Sequence, residues 1–82
     1  MHEWGITQDL IDEVKRQALA KKMTKVTKIG VSVGKLSDIT GLAIKTCFQA
    51  LTKEDPLFKS AKIQIKKTLD HKVFIDTIQG RQ

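Results

Sequence analysis

The sequence predicts an α+β domain: two helices packed on one face of a small three-stranded mixed sheet, in the order α-β-α-β-β. Two segments carry apolar residues at three- and four-residue steps, the mark of helices with a single buried stripe. Three others alternate apolar with polar residues, the mark of strands buried on one face. With 82 residues, the chain buries only ~60–65% of the surface its unfolded form exposes, so it has one core and forms a single domain over residues 1–82.

The first helix is expected from Thr7 to about Lys22, where Ile6, Leu10, Ile11, Val14, Ala18 and Leu19 form one stripe. Thr7 is its expected N-cap. Asp9, Asp12 and Glu13 lie towards its start and Lys15, Arg16, Lys21 and Lys22 towards its end, an order that complements the helix dipole. In the next segment, KVTKIGVSVGKL, Ile29, Val31 and Val33 alternate with Lys28, Gly30, Ser32 and Gly34, giving a half-buried strand. Ser37, Asp38 and Thr40 then supply turn and cap residues ahead of a second helix, GLAIKTCFQALT, with Ile44, Cys47, Phe48 and Leu51 on its apolar side.

The Asp55-Pro56 pair marks the principal loop, because the residue before a proline is pushed out of the helical region. KIQIKK follows as a second strand and HKVFIDTI as a third, joined by the turn TLDH and read together as a hairpin. The crossover from the first strand to the second runs through the second helix and is right-handed if those strands pair in parallel. Val73 and Ile75 share a face, so Phe74 points the other way and is a candidate contact for a homodimer.

Composition limits function. The hydrophobic content of 40% and charged content of 29% are globular, and no apolar run approaches the ~18 residues that a membrane span requires. Acids interrupt the first residues where a secretory leader would be basic and then apolar, so a cytoplasmic location is expected. Cys47 is the single cysteine, which leaves no disulfide framework and no paired-cysteine zinc site; on an apolar helix face it reads as a small core residue. No nucleophile, base and orienting group are grouped in the sequence, so catalysis is not expected.

The net charge is +6, distributed as −2 over residues 1–20 and +8 over the remainder. Such a balance fits a basic module that docks on an acidic protein or nucleic acid through Lys25, Lys28, Lys62, Lys66, Lys67 and Lys72, or simply a solvated lysine face. With only two arginines, nucleic acid is the less favoured partner.

The chain starts Met1-His2-Glu3. A free α-amine, a deprotonable amide and the imidazole of the second residue are consecutive nitrogen donors in nearly one plane, the set that square-planar Ni(II) or Cu(II) prefers. His2 is too bulky for removal of the initiator methionine, so the amine would be that of Met1. Glu3 offers either its backbone nitrogen or a carboxylate acceptor for the imidazole. Spacing alone leaves a solvated, frayed end as the alternative.

Three stretches, MHEWGITQDLIDEVKRQA, KVTKIGVSVGKLS and FQALTKEDPLFKSAKIQI, resemble the HypA/HybF family of nickel metallochaperones that mature [NiFe]-hydrogenase and, in some organisms, urease. The resemblance extends over nearly the whole chain and is most specific at the Met-His-Glu start. It implies that Met1, His2 and Glu3 form a Ni(II) site with His2 as the indispensable side chain, and that nickel passes to a HypB-like GTPase and on to the hydrogenase large subunit.

Three features depart from the family pattern. A zinc module with two CxxC pairs is absent between residues 67 and 72, where only the turn TLDH stands, so no zinc is expected. Lys35 replaces the glutamate of the V-G-E-L-S-like segment. The strongly basic charge is also unusual for the family. His71, in the replacement turn, is an additional candidate ligand if that turn folds towards the N-terminus.

Overall fold

The computed structural model describes residues 2–82. Helix α1 runs His2–Ala20, strand β1 Lys25–Gly34, helix α2 Gly41–Thr52, strand β2 Lys62–Thr68 and strand β3 Val73–Arg81, with a short 3-10 turn at Pro56–Phe58. The expected α-β-α-β-β order therefore stands. No helix among the described residues is long and apolar enough to cross a membrane.

Helix α1 starts five residues earlier than expected, and Thr7 is not its cap. Thr7 is fully buried on the same seam as Ile11, Val14 and Ala18. The 7-11-14-18 spacing extends the helical stripe through it, so position in the period outweighs the capping preference of its residue type. Its hydroxyl finds no hydrogen-bond partner among the described residues.

At the other end the helix closes with a Schellman motif. The Met23 amide donates to the Ala18 carbonyl at 2.8 Å and the Lys22 amide to the Leu19 carbonyl at 3.1 Å. Lys22 holds φ 58, a left-handed conformation in which glycine is the usual residue. Lys22→Gly is expected to stabilise the domain by ~1 kcal/mol, because it removes the Cβ penalty at this one position. A chemical denaturation midpoint compared with the parent chain measures it.

The sheet order is β2-β1-β3, with β1 parallel to β2 and antiparallel to β3. The hairpin expected between β2 and β3 does not form. These strands flank β1, and the connection between them arches over its end, across two strand spacings or ~10 Å, a distance four or five residues span easily. The Gly34, Lys35 and Leu36 amides donate to the Lys72, Thr68 and Asp70 carbonyls, which ties that arch to the end of β1. Strand β1 takes the centre because it is the strand that supplies the most buried apolar surface: Val26, Ile29, Val31 and Val33 all face the core. Strands β2 and β3 contribute the half-buried Ile63, Ile65, Val73 and Ile75, and β3 adds the one buried residue Ile78.

Both helices cover one face of this sheet. Leu10, Ile11, Val14 and Ala18 of α1 meet Ile44 and Phe48 of α2 over the β1 valines, and Phe58 of the 3-10 turn packs edge-on against Phe48 with ring centres 5.4 Å apart. Cys47 is a buried free thiol of this core, as its helix position predicts. The Thr40 hydroxyl accepts from the Ala43 amide at 3.1 Å and so caps α2, which makes Thr40 the cap among the three expected turn and cap residues. Phe74 lies on the opposite sheet face, 42% exposed, as the alternation of Val73 and Ile75 requires.

Candidate metal centre

His2, Ile6, Asp9 and Leu10 of the first two turns of α1 form one wall of an open cleft. Leu36, Ser37, Asp38 and Ile39 of the β1–α2 loop form another, and His71 and Val73 complete it. Three segments remote in sequence thus converge on the start of α1.

Each segment is held from behind. Ile39 is buried in the core, the Ser37 hydroxyl accepts from its amide at 3.1 Å, and Thr40 is fixed as the α2 cap. Asp38 projects from between these anchors into solvent, and its Oδ1 lies 3.6 Å from His2 Nε2. A carboxylate there is placed to orient the imidazole or to offer an oxygen ligand beside its nitrogen.

The turn carrying His71 is fixed by its neighbour Asp70. That carboxylate accepts from the Thr68 hydroxyl at 2.9 Å and from the Lys72 amide at 3.0 Å, while its backbone carbonyl accepts from Leu36. The Lys72 amide, the Thr68 hydroxyl and the positive charge of Lys72 hold its carboxyl below the usual aspartate range. Gly34 lies beneath this turn; a Cβ there would overlap the Asp70 carbonyl group, so the arch can sit this close only on a glycine.

His2 is the first residue of α1. The first four amides of a helix have no intrahelical acceptor, so the nitrogens of His2 and Glu3 can be committed to a metal without breaking a helical hydrogen bond. A helical ψ near −42° also brings successive backbone nitrogens to the same side, as a chelate ring needs, whereas an extended ψ near +135° turns them apart. The positive end of the helix dipole opposes a cation here, and Glu3, Asp9 and Asp38 supply the compensating negative charge.

Of the residues singled out from sequence, His2 and His71 are brought to one cleft. Glu3, half-buried in the first turn, does not line it. Phe74 is on the far face of the sheet, and Met1 lies outside the described residues. Asp38 is the residue that sequence reasoning passed over. In the sequence it is one of three turn and cap residues; only the loop geometry separates its role from that of Thr40. Among the described residues no three His, Cys, Asp or Glu side chains form a ready-made cage.

Residues 1–72 match the family model described as hydrogenase/urease nickel incorporation, metallochaperone, hypA. The match ends with the turn between β2 and β3. The hydrogenase maturation factor HypA of Caldanaerobacter subterraneus is 35% identical over an alignment of 80 residues that covers 90% of this chain and 70% of that protein. The hydrogenase maturation factor HypA of Campylobacter jejuni is 35% identical over 66 residues, and this chain spans only 58% of its length. The solution structure of the Ni metallochaperone HypA from Helicobacter pylori superposes with a TM-score of 0.74 over 92% of this chain and 70% of that one, at 18% identity, a likeness of fold.

Proposed function

Because the chain belongs to the HypA family of hydrogenase/urease nickel-incorporation metallochaperones, we propose that it captures Ni(II) at its N-terminus and releases it to an acceptor during hydrogenase maturation. The Met1 amine, the amide nitrogens that follow and the His2 imidazole form the donor set. The Asp38 carboxylate orients the imidazole or closes the coordination sphere, and His71 stands at the rim of the cleft. The acceptors are a HypB-like GTPase and, after it, the hydrogenase large subunit. The task is capture and transfer, and the ion is cargo: an exposed site with mostly backbone donors lets a partner's ligands reach the metal without unfolding its carrier.

One observation carries this reading. His2 sits in the first, unsatisfied turn of α1, 3.6 Å from an aspartate contributed by a separate loop. Chelation of this kind requires a free amine at Met1, which gives a direct test. Ni(II) titrated into the chain with an unblocked Met1 should produce a square-planar absorption band and change the fluorescence of Trp4, two residues from His2. The same chain carrying one additional residue before Met1 should give neither response at equal nickel. Equal affinity in both would overturn the assignment.

A further inference from the structure

We infer that the sheet face opposite the helices is a docking surface for an acidic segment of a partner protein. Val26 and Ile29 point into the core, so Lys25 and Lys28 emerge on the other side of β1. There, Lys28 is the register partner of Lys62 on β2, and Lys25 that of Arg81 on β3. Lys66 stands on the same face, opposite Ser32, which on its other side meets Phe74.

Two cross-strand pairs of like charge therefore lie on one small sheet. Such pairs oppose folding and are normally avoided. Asp76 is the single acid on this face, and none of these six charged side chains takes part in an ion pair among the described residues. The arrangement is destabilising for the isolated domain and becomes favourable when an anion is placed across it.

The chemistry of the face selects the partner. A second copy of this face would set five cations against five. Nucleic-acid surfaces combine arginine forks with several stacking aromatics, but this one has Arg81 and Phe74 alone; the other two phenylalanines are core residues. Ammonium groups spaced along strands, with Gln64 between Lys62 and Lys66 and one half-exposed aromatic ring beside them, suit carboxylates interspersed with apolar side chains. The cleft at the start of α1 carries the acids Asp9 and Asp38 instead, so the two surfaces differ in sign and the docking face stays independent of the nickel reading.

The test measures fluorescence anisotropy with labelled poly-L-glutamate of about 20 residues and oligo-dT of matched charge, over a salt series. Poly-L-glutamate should bind more tightly than oligo-dT at each salt concentration. Lys28→Glu/Lys62→Glu/Lys66→Glu should weaken its binding at least ~10-fold, whereas Lys21→Glu/Lys53→Glu/Lys59→Glu, which alters exposed lysines elsewhere, should weaken it less than ~3-fold. The neutral Lys28→Gln/Lys62→Gln/Lys66→Gln chain guards against misfolding: it relieves the Lys28–Lys62 repulsion, and it should also lose most of the binding. Equal weakening by both glutamate triples would reduce the effect to net charge and sink the proposal. Tighter binding of oligo-dT would assign the face to nucleic acid and sink it too. The nickel band, measured on the same variants, should be unchanged.

Discussion

His2→Ala should eliminate the square-planar nickel band, with an affinity loss larger than the ~10–100-fold that follows when only a hydrogen-bonding neighbour of a ligand is removed. The reason is geometric. Backbone nitrogens survive any side-chain substitution, so the imidazole is the one donor of the proposed set that mutation can delete. Three further substitutions rank the neighbouring groups. Asp38→Ala should fall within the ~10–100-fold range, because its carboxylate is 3.6 Å from His2 Nε2 and acts on the imidazole. Glu3→Gln should be nearly silent if Glu3 contributes its backbone nitrogen. His71→Ala, at the edge of the same cleft, should cost less than Asp38→Ala. A His71 effect as large as that of His2 would redraw the donor set around the β2–β3 turn.

The sign of the pH dependence follows from the donors. The amine, the amides and the imidazole must all give up protons to bind, so affinity rises with pH and falls in acid, by a factor of ~10 per pH unit for each proton displaced. An isotherm series at three pH values on the parent chain and on His2→Ala separates the imidazole's share. A flat profile in the parent would be incompatible with nitrogen donors.

The type and order of all five elements could be read in the sequence because each contains a stretch of one clear period, although α1 begins five residues before its expected start. GLAIKTCFQALT coincides with the observed α2, whose cap Thr40 is one of the three turn and cap residues ahead of it; Ile44, Cys47 and Phe48 are buried as their spacing predicts, whereas Leu51 is exposed. Cap chemistry and apolar spacing disagree at Thr7, where the residue type suggests a cap and the spacing places a core seam, and burial decides for the seam. Strand order was not legible. A four-residue turn between two alternating segments is ordinarily a hairpin, and nothing local says that it arches over a third strand. The relevant signal was the contrast between β1, with four fully or nearly fully buried valine and isoleucine positions, and the lysine-rich β2 and mostly exposed β3, which suit edges. The site was legible in part for the same reason. Met1, His2 and Glu3 are contiguous, so their donor chemistry shows in one dimension; Asp38 and His71 reach the cleft through tertiary packing alone.

Gly34→Ala is expected to destabilise the domain by ~2–4 kcal/mol, a large share of the roughly 4–12 kcal/mol that a chain of this length commands. The added methyl would occupy the place of the Asp70 carbonyl group, which is backbone and cannot rotate aside. Relief requires lifting the β2–β3 turn, and three hydrogen bonds from the Gly34, Lys35 and Leu36 amides go with it, at ~1 kcal/mol each. Gly5→Ala is the matched control. A Cβ at Gly5 meets nothing within 4 Å, and the residue lies inside α1, so alanine there should stabilise by up to ~1 kcal/mol. Opposite shifts in melting temperature, ~4–8 °C per kcal/mol for a domain of this size, distinguish steric collision from a general intolerance of glycine substitution. Acid adds a second readout. Asp70 has its folded carboxyl held below the ordinary range, so its contribution is present above pH ~4 and is lost as pH falls through the lower folded value. That acid-sensitive component should shrink in the Gly34→Ala chain, whose turn is already displaced, and persist in Gly5→Ala. If Gly34→Ala keeps the parent's melting temperature, the arch over β1 is not the arrangement that closes this sheet.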